Sequence, residues 1–246
     1  MNKTQETFDI LNYFICFKST EQNISFLDDW AAEIIKSENY GFKNGLLGLG
    51  WLIGYLIQEE YILEDADEIL ADIDDILYKL TIREVLKSNI MSSNLLYYVT
   101  YYQQRLQFKS KVHFYRRFTH AECLKLLLDR LNKSLLDCVL VNRAVISEKM
   151  NILLKYSYLM KDSINENLVE ESFYKSVEHL IFFFEKGDCL ELYSEEIAKL
   201  YIVVCQYRNL HWEEKMKKLL TCASLNKHNQ GLWVKLACSN AWRKKS

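Results

Sequence analysis

Gly41-Phe-Lys-Asn-Gly-Leu-Leu-Gly-Leu-Gly-Trp-Leu-Ile-Gly-Tyr-Leu-Ile57 holds five of the seven glycines in a chain of 246 residues. A glycine inside a helix costs about 1 kcal/mol relative to alanine. Four of them in one apolar helical stretch, Gly45, Gly48, Gly50 and Gly54, therefore predict a place where neighbouring backbone comes too close for a side chain. Outward from this stretch there is no proline anywhere, and no glycine between Gly54 and Gly187. The usual markers of tight turns are missing, so long helices joined by short polar turns are expected.

Apolar periodicity points the same way. Phe26, Leu27, Trp30, Ala31, Ile34 and Ile35 form a helical stripe that Ser25 is placed to cap. Ile69, Leu70, Ile73, Ile76, Leu77 and Leu80 form a second, entered through Asp65 or Asp67. Leu124, Leu127, Leu128 and Leu131 form a third, and Ile197, Leu200, Tyr201, Val204 and Cys205 a fourth. The β-prone run from Leu180 to Phe184 continues a helical pattern from Phe173 and Val177. The fold class read from these patterns is all-α, and with no linker or low-complexity segment a single domain over residues 1–246 is the simplest organisation.

A faint repeat lays Leu46 and Leu47 over Leu95 and Leu96, with Gly45 aligned to Asn94. A separation of about 50 residues suits one helical hairpin per repeat. A third copy is suggested at Gly231-Leu-Trp-Val-Lys-Leu.

The run from Gly41 to Trp51, continued by Gly54-Tyr-Leu-Ile-Gln and Asp67-Glu-Ile-Leu-Ala-Asp-Ile-Asp, resembles the amino-terminal repeat of lanthionine synthetase C-like (LanC-like) proteins. Ser93-Asn-Leu-Leu-Tyr-Tyr-Val-Thr-Tyr-Tyr-Gln-Gln-Arg-Leu looks like the family's second repeat, with Asn94 and Tyr97 where glycines would stand. The resemblance covers residues 40–80 most clearly and fades towards 110. It implies helical hairpin repeats in a partial α/α toroid, with the glycines letting helices crowd around the ring centre.

Active members of that family hold zinc through one Cys and a later Cys-His pair, to activate a substrate thiol. Here no Cys is followed by His, so no metal ligand is carried over and no cofactor is expected. His120 and Cys123, three residues apart, are too few for a zinc site and read as a partly exposed histidine beside a core thiol. No phosphate loop, nucleophile elbow or zinc-protease motif occurs. A calcium loop counted from Asp65 would place Ile76 at its closing carboxylate. Catalytic residues are accordingly not assigned.

The seven cysteines include no C-x-x-C pair and read as reduced, mostly buried thiols. The amino terminus lacks the features of a signal peptide, and the longest uncharged apolar run, Gly45 to Ile57, is short of a membrane span. A cytoplasmic protein without a membrane span is the expectation. The formal net charge of −2 leaves no general attraction to nucleic acid.

Charge is nevertheless segregated. From Glu59 to Asp75 there are nine acidic residues and no basic one, while from Val85 to Ala121 there are Lys87, Arg105, Lys109, Lys111, Arg116 and Arg117 and no acid. One reading places both runs on solvated helix ends. The sharper reading joins Tyr97, Tyr98, Tyr101, Arg105, Arg116 and Arg117, with Phe114, Tyr115 and Phe118, into an aromatic and cationic surface for a peptide or protein partner, such as an acidic leader peptide. RNA ranks lower, since no RNA-binding motif accompanies these residues. The function read from the sequence is a non-catalytic LanC-like accessory or binding protein in a peptide modification or export system. The alternative is a helical-repeat scaffold for protein assembly unrelated to lanthipeptide chemistry.

Overall fold

The computed structural model describes residues 6–17, 21–87, 92–108, 114–137, 140, 142–162, 165–187 and 190–222. Eleven α-helices and one short 3-10 turn account for their regular structure, and the described residues include no strand. The all-α reading of the sequence holds. No described helix is long and apolar enough to cross a membrane. The third repeat copy at Gly231, together with Cys138, Cys189, Cys238, His113, His228, Lys109 and Lys111, lies outside the described residues.

The chain divides into two compact units, Met1–Leu127 and Leu128–Ser246. In the first, α1 (Thr7–Phe17), α2 (Glu21–Ser37), α4 (Ala66–Ile69), α5 (Ala71–Leu86) and α6 (Ser92–Gln107) all pack on α3 (Leu46–Gln58). Both arms of the faint repeat are thus helices that touch, α3 carrying Leu46 and Leu47 and α6 carrying Leu95 and Leu96.

The glycines make α3 the central helix of this unit. A Cβ on Gly48 would lie 1.8 Å from the Phe42 carbonyl oxygen and 2.3 Å from the Thr7 hydroxyl. The turn before α3 therefore crosses directly over the helix. Thr7 fastens that crossing: its N–H donates to Lys43 O at 2.7 Å, and its hydroxyl lies 2.8 Å from Phe42 O. Asn39 closes the turn, accepting from the Gly41 N–H at 2.9 Å and donating to Asn44 O at 3.0 Å. Further along, a Cβ on Gly50 would meet Tyr101 and Ile73 at 2.9 Å, and one on Gly54 would meet Gln104 Oε1 at 2.7 Å. The spacing of the glycines thus tracks the backbone turn, then α5 and α6.

Two details of the helix reading change. The stripe capped by Ser25 starts earlier, at Glu21, which leaves Ser25 inside α2. The stripe entered at Asp65 is indeed capped by Asp65, whose carboxylate accepts from the Asp67 N–H at 2.7 Å. It then breaks at Leu70 into α4 and α5, and Ile76 faces outward.

Helix α7 (Phe114–Asp137) contains the division between the units. In the second unit, α8 (Arg143–Lys161) packs against α9 (Glu166–Lys186) and α10 (Ser194–Tyr207), and α11 (Leu210–Cys222) against α9 and α10. The 3-10 turn Leu190–Tyr193 leads into α10. Asn142 caps α8 by accepting from the Val145 N–H at 3.0 Å. Ile197, Leu200, Tyr201, Val204 and Cys205 are all buried, as their spacing predicts.

Candidate functional site

The segregated charges of the sequence meet each other. Asp74, on α5, sits in the interior of the first unit within the buried arc made by Leu70, Ile73, Leu77 and Leu80. Its two oxygens collect partners from two other helices. Oδ1 accepts from the Tyr101 hydroxyl at 2.6 Å and from Arg105 Nε at 3.3 Å, and Oδ2 accepts from Arg105 Nη2 at 2.9 Å and Arg116 Nη1 at 3.4 Å. Arg105 Nη2 also donates to Asp67 at 2.6 Å, and Arg116 Nη1 to the Ala71 carbonyl at 3.2 Å. His120 Nε2 lies 3.2 Å from Asp74 Oδ1, at ion-pair distance but outside hydrogen-bond geometry.

Two carboxylates and two guanidiniums thus neutralise one another, and the arrangement ties α4, α5, α6 and α7 together. The Arg105 side chain is 0% exposed, with Nη1 unpaired and the guanidinium 5.5 Å from the centre of the Phe108 ring. A buried cation survives only when matched in this way.

The electrostatics run against acid–base work. Burial alone would raise the Asp74 pKa, yet the nearby His120 ring and then Arg105 bring it down to about 2. The carboxylate stays ionised at any ordinary pH. Burial pushes the Tyr101 and Tyr102 phenols far up, with Asp74 adding to the first and Cys123 to the second. Tyr102 shares a hydrogen bond with Thr81 at 2.9 Å. Burial likewise lifts the Cys123 thiol to about 11, so it holds its proton and is a poor nucleophile. Catalytic groups are tuned towards neutrality. These are tuned away from it.

The structure disperses the residues of the expected partner surface. Tyr101 and Arg105 are internal, and Tyr98 is buried, with its phenol raised to about 12 by burial and then by Glu84. None of the three can meet a partner, because each lies on the face of α6 turned to the core. Arg116 is partly exposed, but its guanidinium is engaged with Asp74 and Ala71. Tyr97 is exposed, but it stacks on Phe42 at 4.9 Å and belongs to a different ring cluster. Arg117 points outward without an ion pair among the described residues, beside Phe114, Tyr115 and Phe118.

His120, expected to be partly exposed, is buried. Its place beside Asp74, and the pairing of Asp67 and Asp74 with Arg105, are not part of the sequence reading. A signal for Asp74 was present: it directly follows Ile73 and precedes Leu77 by three residues, which places a carboxylate on the apolar side of its helix. Among the described residues no three His, Cys, Asp or Glu side chains are grouped to hold a metal ion. Of the cysteines described, Cys123 and Cys205 are buried thiols and Cys16 is exposed.

Among the described residues of the second unit, a shallow open depression of about 290 Å³ is lined by His179, Phe182, Phe183, Lys186 and Gly187 at the end of α9. The Lys186 amine lies over the Phe182 ring at 4.2 Å, so its charge is partly occupied.

Comparison of the chain with protein-family models, with curated proteins and with solved structures finds no match.

Proposed function

We propose that the protein is a non-catalytic binding component whose partner is a peptide or another protein, docked on the first turns of α7. The observation that carries this reading is the exposure there of Phe114, Tyr115 and Phe118, at 71%, 85% and 57%, around the outward Arg117. Three large rings in five residues are too much apolar surface to leave in water without a use, and aromatic and arginine side chains are the usual anchors of interfaces. The buried charge cluster supports the same reading from the other side, since its groups are locked in pairs and serve to hold α7 against α5 and α6.

The narrower form of the proposal is an accessory role in a peptide modification or export system, with LanC-like ancestry, a partial α/α toroid and a cytoplasmic location. Its support is the glycine run of α3, whose members stand where backbone and side chains approach too closely for a Cβ. The scaffold alternative draws on the second unit, where α8 packs on α9 and α10 on α11 as successive helix pairs.

The test uses the full chain and a fluorescent acidic peptide of alternating Glu and Leu. Binding should weaken by about tenfold when Tyr115→Ser and Arg117→Glu are combined, the loss expected for an aromatic anchor and its neighbouring charge. Binding that ignores both substitutions, or equal binding of a Lys-Leu peptide, would remove α7 as the docking face. Co-purification with a precursor peptide encoded beside the gene would favour the narrower form, and a partner of unrelated kind the scaffold.

A further inference from the structure

A second surface on the first unit has the opposite electrical character. Trp51, Tyr55 and Glu59 follow one another at four-residue steps, so they lie on one line along α3. The Trp51 and Tyr55 rings are stacked at 5.7 Å and 24°. Phe42 forms the floor at 5.6 Å from Trp51, Phe8 of α1 stands 5.9 Å from Trp51, and Tyr97 of α6 lies nearly parallel to Phe42. Five rings from three helices and a turn thus make one continuous platform. Its outer members, Phe8 and Tyr97, are about half exposed.

The platform ends at the carboxyl terminus of α3. There Glu59 and Glu60 are both exposed and without an ion-pair partner among the described residues. Glu60 turns the chain out of the helix with φ 60°. Glu59 follows Tyr55 by one helical turn, and after burial its charge is the next influence raising the Tyr55 phenol. Lys43, next to Phe42 in the chain, is taken up by Glu6 at 2.7 Å. The ring faces and the free carboxylates therefore present negative potential together.

We propose that this face binds an arginine-bearing basic segment of a partner protein, with a guanidinium stacked on Trp51 and Tyr55 and paired with Glu59. Charge complementarity selects the occupant. A planar guanidinium can lie on an aromatic face while its edge meets a carboxylate, which a compact ammonium does less well. An acidic peptide or a nucleic-acid phosphate would meet repulsion from Glu59 and Glu60. The site is separate from the start of α7, so it stands or falls independently of that docking face.

The experiment is fluorescence anisotropy of a labelled Gly-Arg-Gly-Arg-Gly-Arg peptide with the full chain, beside its Lys and Glu counterparts. The Arg peptide should bind best and the Glu peptide not at all. Trp51→Ala should weaken the Arg peptide by about tenfold, in keeping with loss of a stacked cation and an interface anchor. Glu59→Lys, at an exposed position that leaves the core intact, should weaken it at least as much and reduce its salt dependence. The pair Tyr115→Ser and Arg117→Glu should leave it unchanged. Equal binding of the Glu peptide, indifference to Glu59→Lys, or loss only in variants whose helical circular dichroism has collapsed would overturn the proposal. So would self-association of the chain that the Arg peptide does not displace.

Discussion

The first unit buries a carboxylate, Asp74, against two guanidiniums and an imidazole, whereas the second sets a part-buried amide, Asn132, against a phenol and a hydroxyl. Asn132 Oδ1 accepts from Tyr156 at 2.8 Å and from Ser172 at 2.5 Å, and its Nδ2 donates to Leu168 O at 2.7 Å. Both hubs join α7 to the helices of their own unit. One does so with charges that must all be present, the other with neutral groups whose pairing is indifferent to pH.

The apolar packing differs as well. Around α3 the helices come close because glycine removes side chains. Around α9 and α11 they are held apart by large rings, with Trp212 stacked on Tyr207 at 5.4 Å and beside Tyr174 at 4.7 Å. The comparison shows that uniform helical texture along a sequence can hide two separate ways of filling a core.

The largest expected effect breaks the charged hub. Arg105→Ala leaves Asp74 and Asp67 short of their shared partner and should destabilise the fold by about 4 kcal/mol, as for other buried pairs deprived of one member. Urea unfolding followed by circular dichroism measures this, and a loss under about 1 kcal/mol would mean the cluster is solvated rather than buried.

Next come the glycines of α3. Gly48→Ala drives a methyl into the Phe42 carbonyl, which is backbone and tied down by Thr7. The cost should be about 3 kcal/mol, at the upper end for overpacking. Gly54→Ala meets only the end of the Gln104 side chain, which can swing away. The helix-propensity gain of about 1 kcal/mol should leave that variant near neutral. Similar losses for both would mean that helix spacing, rather than the crossing turn, decides the need for glycine.

The smallest effect separates the hubs by pH. Asp74 has a depressed pKa, about 2 against an ordinary 3.8, so it contributes stability above pH 4 that is lost as pH falls towards 2. The difference corresponds to about 2 kcal/mol. Asn132→Ala should cost about 1–3 kcal/mol at every pH for its lost hydrogen bonds. Asp74→Asn should flatten the acid limb of stability while Asn132→Ala leaves its slope intact. Thermal melts between pH 2 and pH 7 distinguish the two, and parallel acid limbs in both variants would place the titrating group elsewhere.

Much of this is legible in the sequence. Gly48, Gly50 and Gly54 announce close approach, and Leu124, Leu127, Leu128 and Leu131 announce a buried helix face, because both signals are local and repeat with the helix. The solvent face of α3 was less legible: Trp51 and Tyr55 lie inside an unbroken apolar run, and nothing local says which of its residues will be covered. Tyr101 and Arg105 look like surface groups for the same reason. An arginine reads as exposed until its carboxylate is known, and Asp74 and Asp67 stand 31 and 38 residues away along the chain.

The chain's order of residues settles its helices and the place where they must crowd, since proline-free periodicity and glycine spacing act over a few turns. Only the tertiary structure decides that Asp67 and Asp74 of the acidic run meet Arg105 and Arg116 of the basic run inside, leaving the α7 rings and the α3 platform outside. That outcome depends on which charges the folded helices carry within a few ångströms of each other, a distance that sequence separation does not measure.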